Sequence, residues 1–378
     1  MVKFNSAKYI IISILVVACG HSHNCIEPID VTDGKVQCLE DVASDIKIMP
    51  LRDRDSLNLI GDIYSLKSYG ERIFLYDDRA RKILYYDDGI YGGQIDKVGR
   101  GPEEYVDIGT FAYDAEHDIL TLFDRNTRKL KFYSCATVRM VREMQLDYYI
   151  AALEYITDGV YLVVREQTSE EDNNAAVVIL DTDNNSITSS LSITPIQGDL
   201  LSDLAVTRAD DGVIITVPGY VNRVYRADVF GFTELSTIFF GRHGADRKFW
   251  EGKREDPFYV EELLNSGPAS AIAPSYYIGD GTCERFWYVS RYSYDMHSQP
   301  VMSLCVCDGS KCVTVSELVI DGIEGGLQPL CATNDYYFTL VYPYQISNQT
   351  DKLSPLAAEI AAVADYENNN PTVVAFKL

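Results

Sequence analysis

IFLYDDRARKILYY at residues 73–86 recurs as LTLFDRNTRKLKFY at residues 120–133, an offset of 47 residues. In both copies an apolar stretch precedes an aspartate, Asp77 or Asp124, and a second apolar stretch follows the polar residues after it. Aspartate favours tight turns because its side chain accepts hydrogen bonds from nearby backbone amides, and the flanking aliphatic and aromatic residues favour half-buried strands. Each copy therefore predicts a strand, a turn and a second strand.

Four looser copies of this strand pair follow along the chain. They comprise residues 160–164 with 177–181, 213–217 with 223–226, 286–290 with 301–308, and 337–342 with 372–377. Most copies begin about 40 to 50 residues apart, the length that one four-stranded propeller blade needs. We therefore predict an all-β fold, a six-bladed β-propeller over residues 46–378, in preference to a two-sheet sandwich or a pair of small β domains.

Three segments around the repeat carry further predictions. Residues Ile46–Leu51 precede the first blade and are expected to complete the last one, because an open sheet edge promotes aggregation. The wide gap before the fifth copy predicts a short helical insertion at about 242–273, with a helix at 257–265 that begins at a proline. A second helix is predicted in the last blade over residues 356–364, after Ser354 and Pro355.

The charge balance excludes one class of partner. The 378 residues contain 33 Lys and Arg against 56 Asp and Glu, a formal net charge of -23. Such a chain repels the phosphate backbone of nucleic acids and the surface of anionic membranes. We therefore expect no nucleic acid partner, and contact with a membrane only through a lipid anchor.

The first residues indicate export. Two lysines precede an apolar run that ends at Ala18, which is too short to span a bilayer and is typical of a secretory signal. The end of the run, Val16-Val17-Ala18-Cys19, resembles the lipobox of bacterial lipoproteins, which predicts a signal peptide over residues 1–18, lipidation at Cys19 and a tether over residues 19–45. The alternative is an ordinary signal peptide with an incidental cysteine nearby. The predicted location is the cell envelope, with the lipid in the outer membrane.

One loop resembles a known family. The stretch Gly99-Arg100-Gly101-Pro102-Glu103-Glu104-Tyr105 and the ending Glu367–Val374 are similar to signatures of six-bladed β-propeller lipoproteins of gut bacteria, distantly related to TolB-like and NHL-repeat propellers. The resemblance covers residues 46–378. It implies an exported, lipid-anchored ring, and it brings no established catalytic residues.

The same loop supplies the candidate binding residues. Glycines allow backbone amides to converge on an anion, and an arginine adds a planar fork for carboxylate or phosphate. A partial copy, Gly241-Arg242-His243-Gly244, occurs later in the chain. The predicted binding face comprises Arg100, Glu103, Tyr105, Arg242, His243 and Trp250. The alternative is that the glycines only let the chain cross between blades while the arginines tie neighbouring blades together.

The cysteines and histidines give a weaker signal. If residues 309 and 310 form a two-residue hairpin loop, Cys307 and Cys312 lie opposite each other and form a disulfide, the alternative being two free thiols. Cys305 and Cys307 lack the spacing of a zinc knuckle, and the five histidines show no paired spacing. We therefore predict no metal and no cofactor.

Two functions remain after these arguments. The first is a non-catalytic binding or scaffold module that recognises a glycan, a peptide or another envelope protein through aromatic-rich loops. The second is a propeller hydrolase or lyase acting on an extracellular carbohydrate or lactone. No Walker loop, dinucleotide fingerprint or Gly-x-Ser-x-Gly elbow supports a named enzyme class.

Overall fold

A computed structural model describes residues 24–26, 34–52, 60–166, 175–251, 271–279, 283–291, 301–308, 311–349 and 352–378. The chain forms six sheets that each contain four antiparallel strands of one blade, which confirms the predicted all-β, six-bladed propeller. The first strand of each blade lies innermost, around the central channel, and the fourth lies outermost. Every strand pair predicted from the sequence forms the two middle strands of a blade.

The strands of the first three blades follow the three N-terminal strands. The N-terminal strands are β1 Asn24–Ile26, β2 Lys35–Cys38 and β3 Asp45–Pro50. Blade 1 contains β4 Ile63–Tyr69, β5 Arg72–Asp77, β6 Lys82–Asp87 and β7 Ile90–Ile95. Blade 2 contains β8 Ile108–Asp114, β9 Ile119–Asp124, β10 Lys129–Ser134 and β11 Arg139–Gln145. Blade 3 contains β12 Ile150–Thr157, β13 Val160–Arg165, β14 Ala175–Asp181 and β15 Ser186–Ser192.

The remaining strands form blades 4 to 6. Blade 4 contains β16 Val206–Ala209, β17 Gly212–Val217, β18 Asn222–Asp228 and β19 Gly231–Ile238. Blade 5 contains β20 Ile272–Gly279, β21 Cys283–Arg291, β22 Val301–Asp308 and β23 Lys311–Val319. Blade 6 contains β24 Cys331–Ala332, β25 Tyr337–Val341 and β26 Thr372–Lys377, with β3 as its outer strand.

Strand β3 closes the ring. It pairs antiparallel with β26, so that Ile46 lies opposite Phe376 and Pro50 lies opposite Thr372. The prediction that residues 46–51 complete the last blade is confirmed. Because the outer strand of blade 6 comes from the N-terminal side of the chain, the two ends of the propeller are joined by a full ladder of backbone hydrogen bonds.

Part of the segment predicted as a tether packs on the propeller. Strand β1 pairs in parallel with β19, and β2 pairs in parallel with β23, so each adds a fifth strand to a blade. The predicted signal peptide and Cys19 lie outside the described residues. No described helix is long and apolar enough to cross a membrane.

The helices are short and lie in loops. Those in the described residues are α1 Leu39–Val42, α2 Pro195–Asp199, α3 Arg247–Glu251 and α4 Pro355–Val363, with 3-10 turns at Asp203–Ala205, Gly241–His243 and Pro343–Gln345. Helix α4 confirms the predicted helix of the last blade, and its N-cap Ser354 accepts a hydrogen bond from the Ala357 amide. The predicted insertion helix at 257–265 lies outside the described residues.

The repeated aspartates anchor one blade to the loop that leads into it. Asp77 and Asp124 are fully buried. The Asp77 carboxylate accepts hydrogen bonds from the amides of Gly61, at 2.8 Å, and Ala80, at 3.0 Å. The aspartate therefore joins the turn between the second and third strands to the segment that enters the first strand, which explains why the residue recurs.

The turns and loops define two faces of the ring. The upper face carries the loops between blades and the turns between the second and third strands. The lower face carries the turns between the first and second strands and those between the third and fourth. In blade 2 the first strand runs from Ile108 at the upper face to Asp114 at the lower face, a distance of about 20 Å.

Candidate functional site

The Gly-Arg-Gly loop at the upper face folds around the side chain of Glu104, which belongs to the same loop. The Gly101 amide donates a hydrogen bond of 2.6 Å to Oε2 of Glu104. A Cβ atom on Gly99 would lie 1.9 Å from the same oxygen, so only glycine allows the carboxylate to fold over the loop. The anion position predicted for this loop is thus occupied by Glu104.

The other predicted residues of this loop have different surroundings. Tyr105 is fully buried, and its hydroxyl lies 2.8 Å from the carbonyl oxygen of Arg81 and 2.9 Å from that of Ile95, one of which accepts its single proton. The Glu103 carbonyl accepts a hydrogen bond of 3.0 Å from the Tyr133 hydroxyl. Arg100 is exposed on the upper face. Tyr105 and the Glu103 backbone therefore hold the loop against blades 1 and 2, and Arg100 is the most exposed of the three residues.

The second predicted loop lies on the same face but across the ring. It connects blades 4 and 5, three blades away from the first loop. Arg242 donates from Nε to Nε2 of His243 at 3.2 Å, and Trp250 is buried against Ile272 and Phe249. The structure therefore does not bring the six predicted residues into one site.

A cavity of about 770 Å³ opens at the lower face, on the side opposite to both predicted loops. It extends from the mouth of the central channel into the seam between blades 6 and 1. We call it the lower cavity; its lining includes Lys47, Met49, Ser68, Tyr69, Glu71, Ile73, Asp88, Arg208, Asp210, Asp335, Tyr336, Phe338 and Ala375. Because β3 supplies Lys47 and Met49, the ring-closing strand also forms one wall.

Two aromatic rings of the lower cavity are each covered by a cation. The Lys47 ammonium lies 4.2 Å from the centroid of the Tyr336 ring, and the Arg208 guanidinium lies 4.7 Å from the centroid of the Tyr69 ring. Such contacts stabilise a cation over the negative face of the ring. The Tyr336 hydroxyl also donates to the carboxylate of Asp45. Both rings and both cations are therefore held in place within the protein.

Carboxylates dominate the rim of the lower cavity. Asp335 forms an ion pair of 2.6 Å with Lys377. Glu71, Asp88 and Asp210 are exposed and form no ion pair with any residue that the structure describes. Within the described part of the chain, the rim thus presents three carboxylates without an ion pair to solvent.

Behind the lower cavity, a buried ionic network closes the channel. Lys67 of blade 1 lies 3.5 Å from Oε2 of Glu154 of blade 3 and 3.3 Å from Oδ1 of Asp203, which precedes blade 4. Arg208 donates to Oε1 of Glu154 at 3.3 Å, and Thr110 of blade 2 donates to Oδ2 of Asp203 at 3.0 Å. About 20 Å³ of free space remains beside the network, enough for one water molecule.

The buried side chains of the network are stabilised in their charged forms by the opposite charges next to them. Burial acts to lower the pKa of Lys67, but the carboxylates of Asp203 and Glu154 outweigh it, so the pKa lies above its usual value. Burial raises the pKa of Asp203, although Lys67 and Thr110 act against the shift. Two cations face two anions, which satisfies the requirement that buried charges be paired.

The sequence patterns did not reveal these residues. They lie on the innermost strands and in one inter-blade loop, whereas the detected repeat covers the middle strands. A local signal was present, because Lys67 and Glu154 each interrupt an apolar stretch, in Leu66-Lys67-Ser68 and Leu153-Glu154-Tyr155. Only the ring brings together residues that are up to 141 positions apart, from Lys67 to Arg208.

The disulfide and one free thiol form a separate cluster in blade 5. Cys307 and Cys312 are joined by a disulfide with their Cα atoms 4.0 Å apart. The Sγ atom of Cys305 lies 3.6 Å from the Sγ atom of Cys307.

Comparisons with known proteins extend these observations. A family model described as a domain of unknown function, DUF4934, matches residues 26–377. A candidate exported protein from Bacteroides fragilis superposes with a TM-score of 0.66 at 12% identity, over 94% of this chain and 99% of that chain. A member of the DUF4221 family from Bacteroides vulgatus gives a TM-score of 0.48 at 9% identity, over 89% of this chain and 96% of that chain. No curated protein matches the chain.

Proposed function

We propose a function on the premise that the chain belongs to the DUF4934 family, whose function is unknown. The protein acts as a non-catalytic binding module, and its ligand occupies the lower cavity. The observation that carries this proposal is the 770 Å³ cavity at the channel mouth, which combines apolar walls with an acidic rim. Concave sites of this size, with apolar lining and a few polar groups, are typical of ligand-binding pockets.

The contacts of the cavity favour a peptide over a glycan. Sugars are commonly recognised by stacking on an open aromatic face, but Lys47 and Arg208 already cover a face of Tyr336 and of Tyr69. The apolar wall formed by Met49, Ile73 and Phe338 suits an aliphatic side chain instead. A segment of a partner protein supplies such a group together with backbone amides.

The rim charges favour basic side chains in that peptide. Glu71, Asp88 and Asp210 have no ion pair within the described residues, and the whole chain carries a net charge of -23. Complementary charge accelerates association and selects among partners. We therefore infer a ligand segment that combines lysine or arginine with aliphatic residues. Export to the envelope and the lipid anchor at Cys19 are part of the same proposal, because a tethered module recognises other envelope proteins.

The experiment is a binding screen with an array of short peptides that vary in charge and aliphatic content. The test variant is Glu71→Gln, and its matched control is Glu359→Gln, which makes the same charge change at an exposed position of helix α4, away from the cavity. We expect basic, aliphatic peptides to bind the wild type and the control equally, with the variant weaker by about five- to tenfold, on the order of 1 kcal/mol.

Other results would count against the proposal. Equal binding by Glu71→Gln and the control would remove the lower cavity as the site. Selective binding of neutral glycans would indicate a glycan-binding protein instead of a peptide-binding module. Turnover of a sugar or lactone would indicate the hydrolase or lyase alternative.

A further inference from the structure

Three cysteine sulfur atoms converge within blade 5. Cys305 and Cys307 are two residues apart on β22, so their side chains point to the same face of the sheet. Cys312 lies directly opposite Cys307 on β23. All three Sγ atoms lie within 4.8 Å of one another.

The cluster lies in an apolar interface between blades 4 and 5. Cys305 and Cys307 are buried and pack in one cluster with Phe240 and Phe286, while Cys312 is half-buried at its edge. Burial raises the pKa of the Cys305 thiol to about 12. The free thiol is therefore protonated at neutral pH and is protected from oxidants, although it lies 3.6 Å from the disulfide sulfur of Cys307.

We propose that Cys305, Cys307 and Cys312 form a binding site for a single Cu(I) ion when the disulfide is reduced. Metal–thiolate bonds are about 2.3 Å long, so three sulfurs around one ion in a plane lie about 4 Å apart. The sulfurs of Cys305 and Cys307 are already 3.6 Å apart. The sulfurs of Cys307 and Cys312 are bonded in the disulfide, and in the proposed site they move apart to about 4 Å once it is reduced.

The ligand set selects the class of metal. Soft thiolates favour Cu(I) over hard cations such as Ca²⁺ and Mg²⁺. Structural zinc sites take four protein ligands, whereas the cluster found among the described residues contains three. The surrounding phenylalanine side chains also disfavour a bound water as a fourth ligand. Three soft sulfurs in an apolar pocket therefore fit a monovalent soft ion better than Zn²⁺.

The metal site and the disulfide cannot exist at the same time, because both use Cys307 and Cys312. Reduction of the disulfide and metal binding convert one into the other. A dithiol reductant donates two electrons and two protons to the disulfide, which yields the thiols of Cys307 and Cys312, and the reductant becomes a disulfide itself. Each sulfur that then binds the metal as a thiolate releases one proton. Oxidation of the two thiols reverses the first step and removes two of the three ligands.

The sequence argued against a metal here because a zinc knuckle needs two residues between its cysteines. That rule concerns cysteines within a single loop. The alternation of side chains along one strand brings Cys305 and Cys307 together, and the neighbouring strand supplies Cys312, so the cluster is a property of the sheet.

The experiment measures Cu(I) binding by the full chain under anaerobic conditions, in competition with the chromophoric chelator bicinchoninate. The variants are Cys305→Ala and, as matched control, Cys331→Ala, which removes a different buried free cysteine in blade 6. We expect the reduced wild type and the control to bind one tight Cu(I) ion per chain. Cys305→Ala should bind at least about 10- to 100-fold more weakly, because even outer-shell changes at metal sites cost that much. The oxidised wild type should lack the tight site.

Two further measurements keep the test decisive. Cys312→Ala removes a half-buried ligand with little effect on packing, and the same loss is expected. Alkylation followed by peptide mapping should show that Cu(I) protects Cys305, Cys307 and Cys312, while the other cysteines react equally with and without the metal. Equal affinity of Cys305→Ala and Cys331→Ala, or tight copper binding with the Cys307–Cys312 disulfide intact, would overturn the proposal.

Discussion

Lys67 and Glu154 face each other across the propeller axis, with the ammonium nitrogen 3.5 Å from a carboxylate oxygen and both side chains buried. The two residues come from the innermost strands of blades 1 and 3, which are not neighbours in the ring. Asp203 extends the contact to the loop before blade 4. The pair therefore ties together blades that belong to separate sheets.

The Lys67→Met substitution should destabilise the protein strongly. It keeps the apolar stem but leaves Asp203 without its cation and Glu154 with Arg208 alone, and breaking a buried ion pair costs about 3 kcal/mol or more. Urea unfolding should show the midpoint falling without a change of slope. In the double variant with Glu154→Gln the two losses should not add, with a coupling of about 1 to 3 kcal/mol. Simple additivity would mean that the pair does not act as a unit.

The pH dependence of this stabilisation follows from the raised pKa of Lys67. The pKa of Lys67 is higher in the folded protein than in the unfolded protein, where it is about 10.4. Its charge therefore stabilises the fold fully below the unfolded pKa, and this stabilisation is lost as the pH rises through the folded pKa. The stability gap between wild type and Lys67→Met should thus be constant from pH 8 to about 10 and shrink above it. Tyrosine ionisation changes the stability of both proteins equally and therefore cancels in the difference between them. A gap that stays constant to pH 11.5 would show that this proton is not linked to folding.

The Gly-Arg-Gly loop, which folds around the Glu104 carboxylate, gives a third prediction. Gly99→Ala places a methyl group where Oε2 of Glu104 lies, so the carboxylate must leave the Gly101 amide, at a cost of about 1 kcal/mol. Glu104→Ala breaks the same hydrogen bond, and adding Gly99→Ala to it should cost little more. Gly198→Ala is the control, because its nearest neighbouring atom would be 3.8 Å away. Urea unfolding of the four variants measures this, and equal losses for Gly99→Ala and Gly198→Ala would contradict it.

The fold was predictable from the sequence because its signal is local and repeated. Asp77 and Asp124 mark equivalent turns, and the apolar residues on either side of them define the two middle strands of a blade. The closing strand was predictable from the same reasoning, since a ring with four-stranded blades needs one more strand after Thr372–Lys377.

The candidate site was not predictable in this way. Lys47, Tyr69, Arg208 and Tyr336 come from four parts of the chain, and only the closed ring brings them to one cavity. The glycine-rich loop carried the strongest sequence motif, but its glycines accommodate Glu104, a contact that depends on a side-chain conformation. Spacing rules also missed the cysteine cluster, because its third member comes from a neighbouring strand.

Removal of the closing strand should expose the edge of the last blade. A chain that begins at residue 51 lacks β3, so β26 loses its outer partner and the packing of Ile46 and Ile48 on the core. Unpaired edge strands promote association between chains, and β26 is almost entirely buried in the intact ring. The matched control begins at residue 45 and keeps β3. By size-exclusion chromatography and urea unfolding, we expect the control to be monomeric and cooperative and the shorter chain to aggregate. A monomeric shorter chain with an unchanged unfolding midpoint would show that the ring does not depend on this ladder.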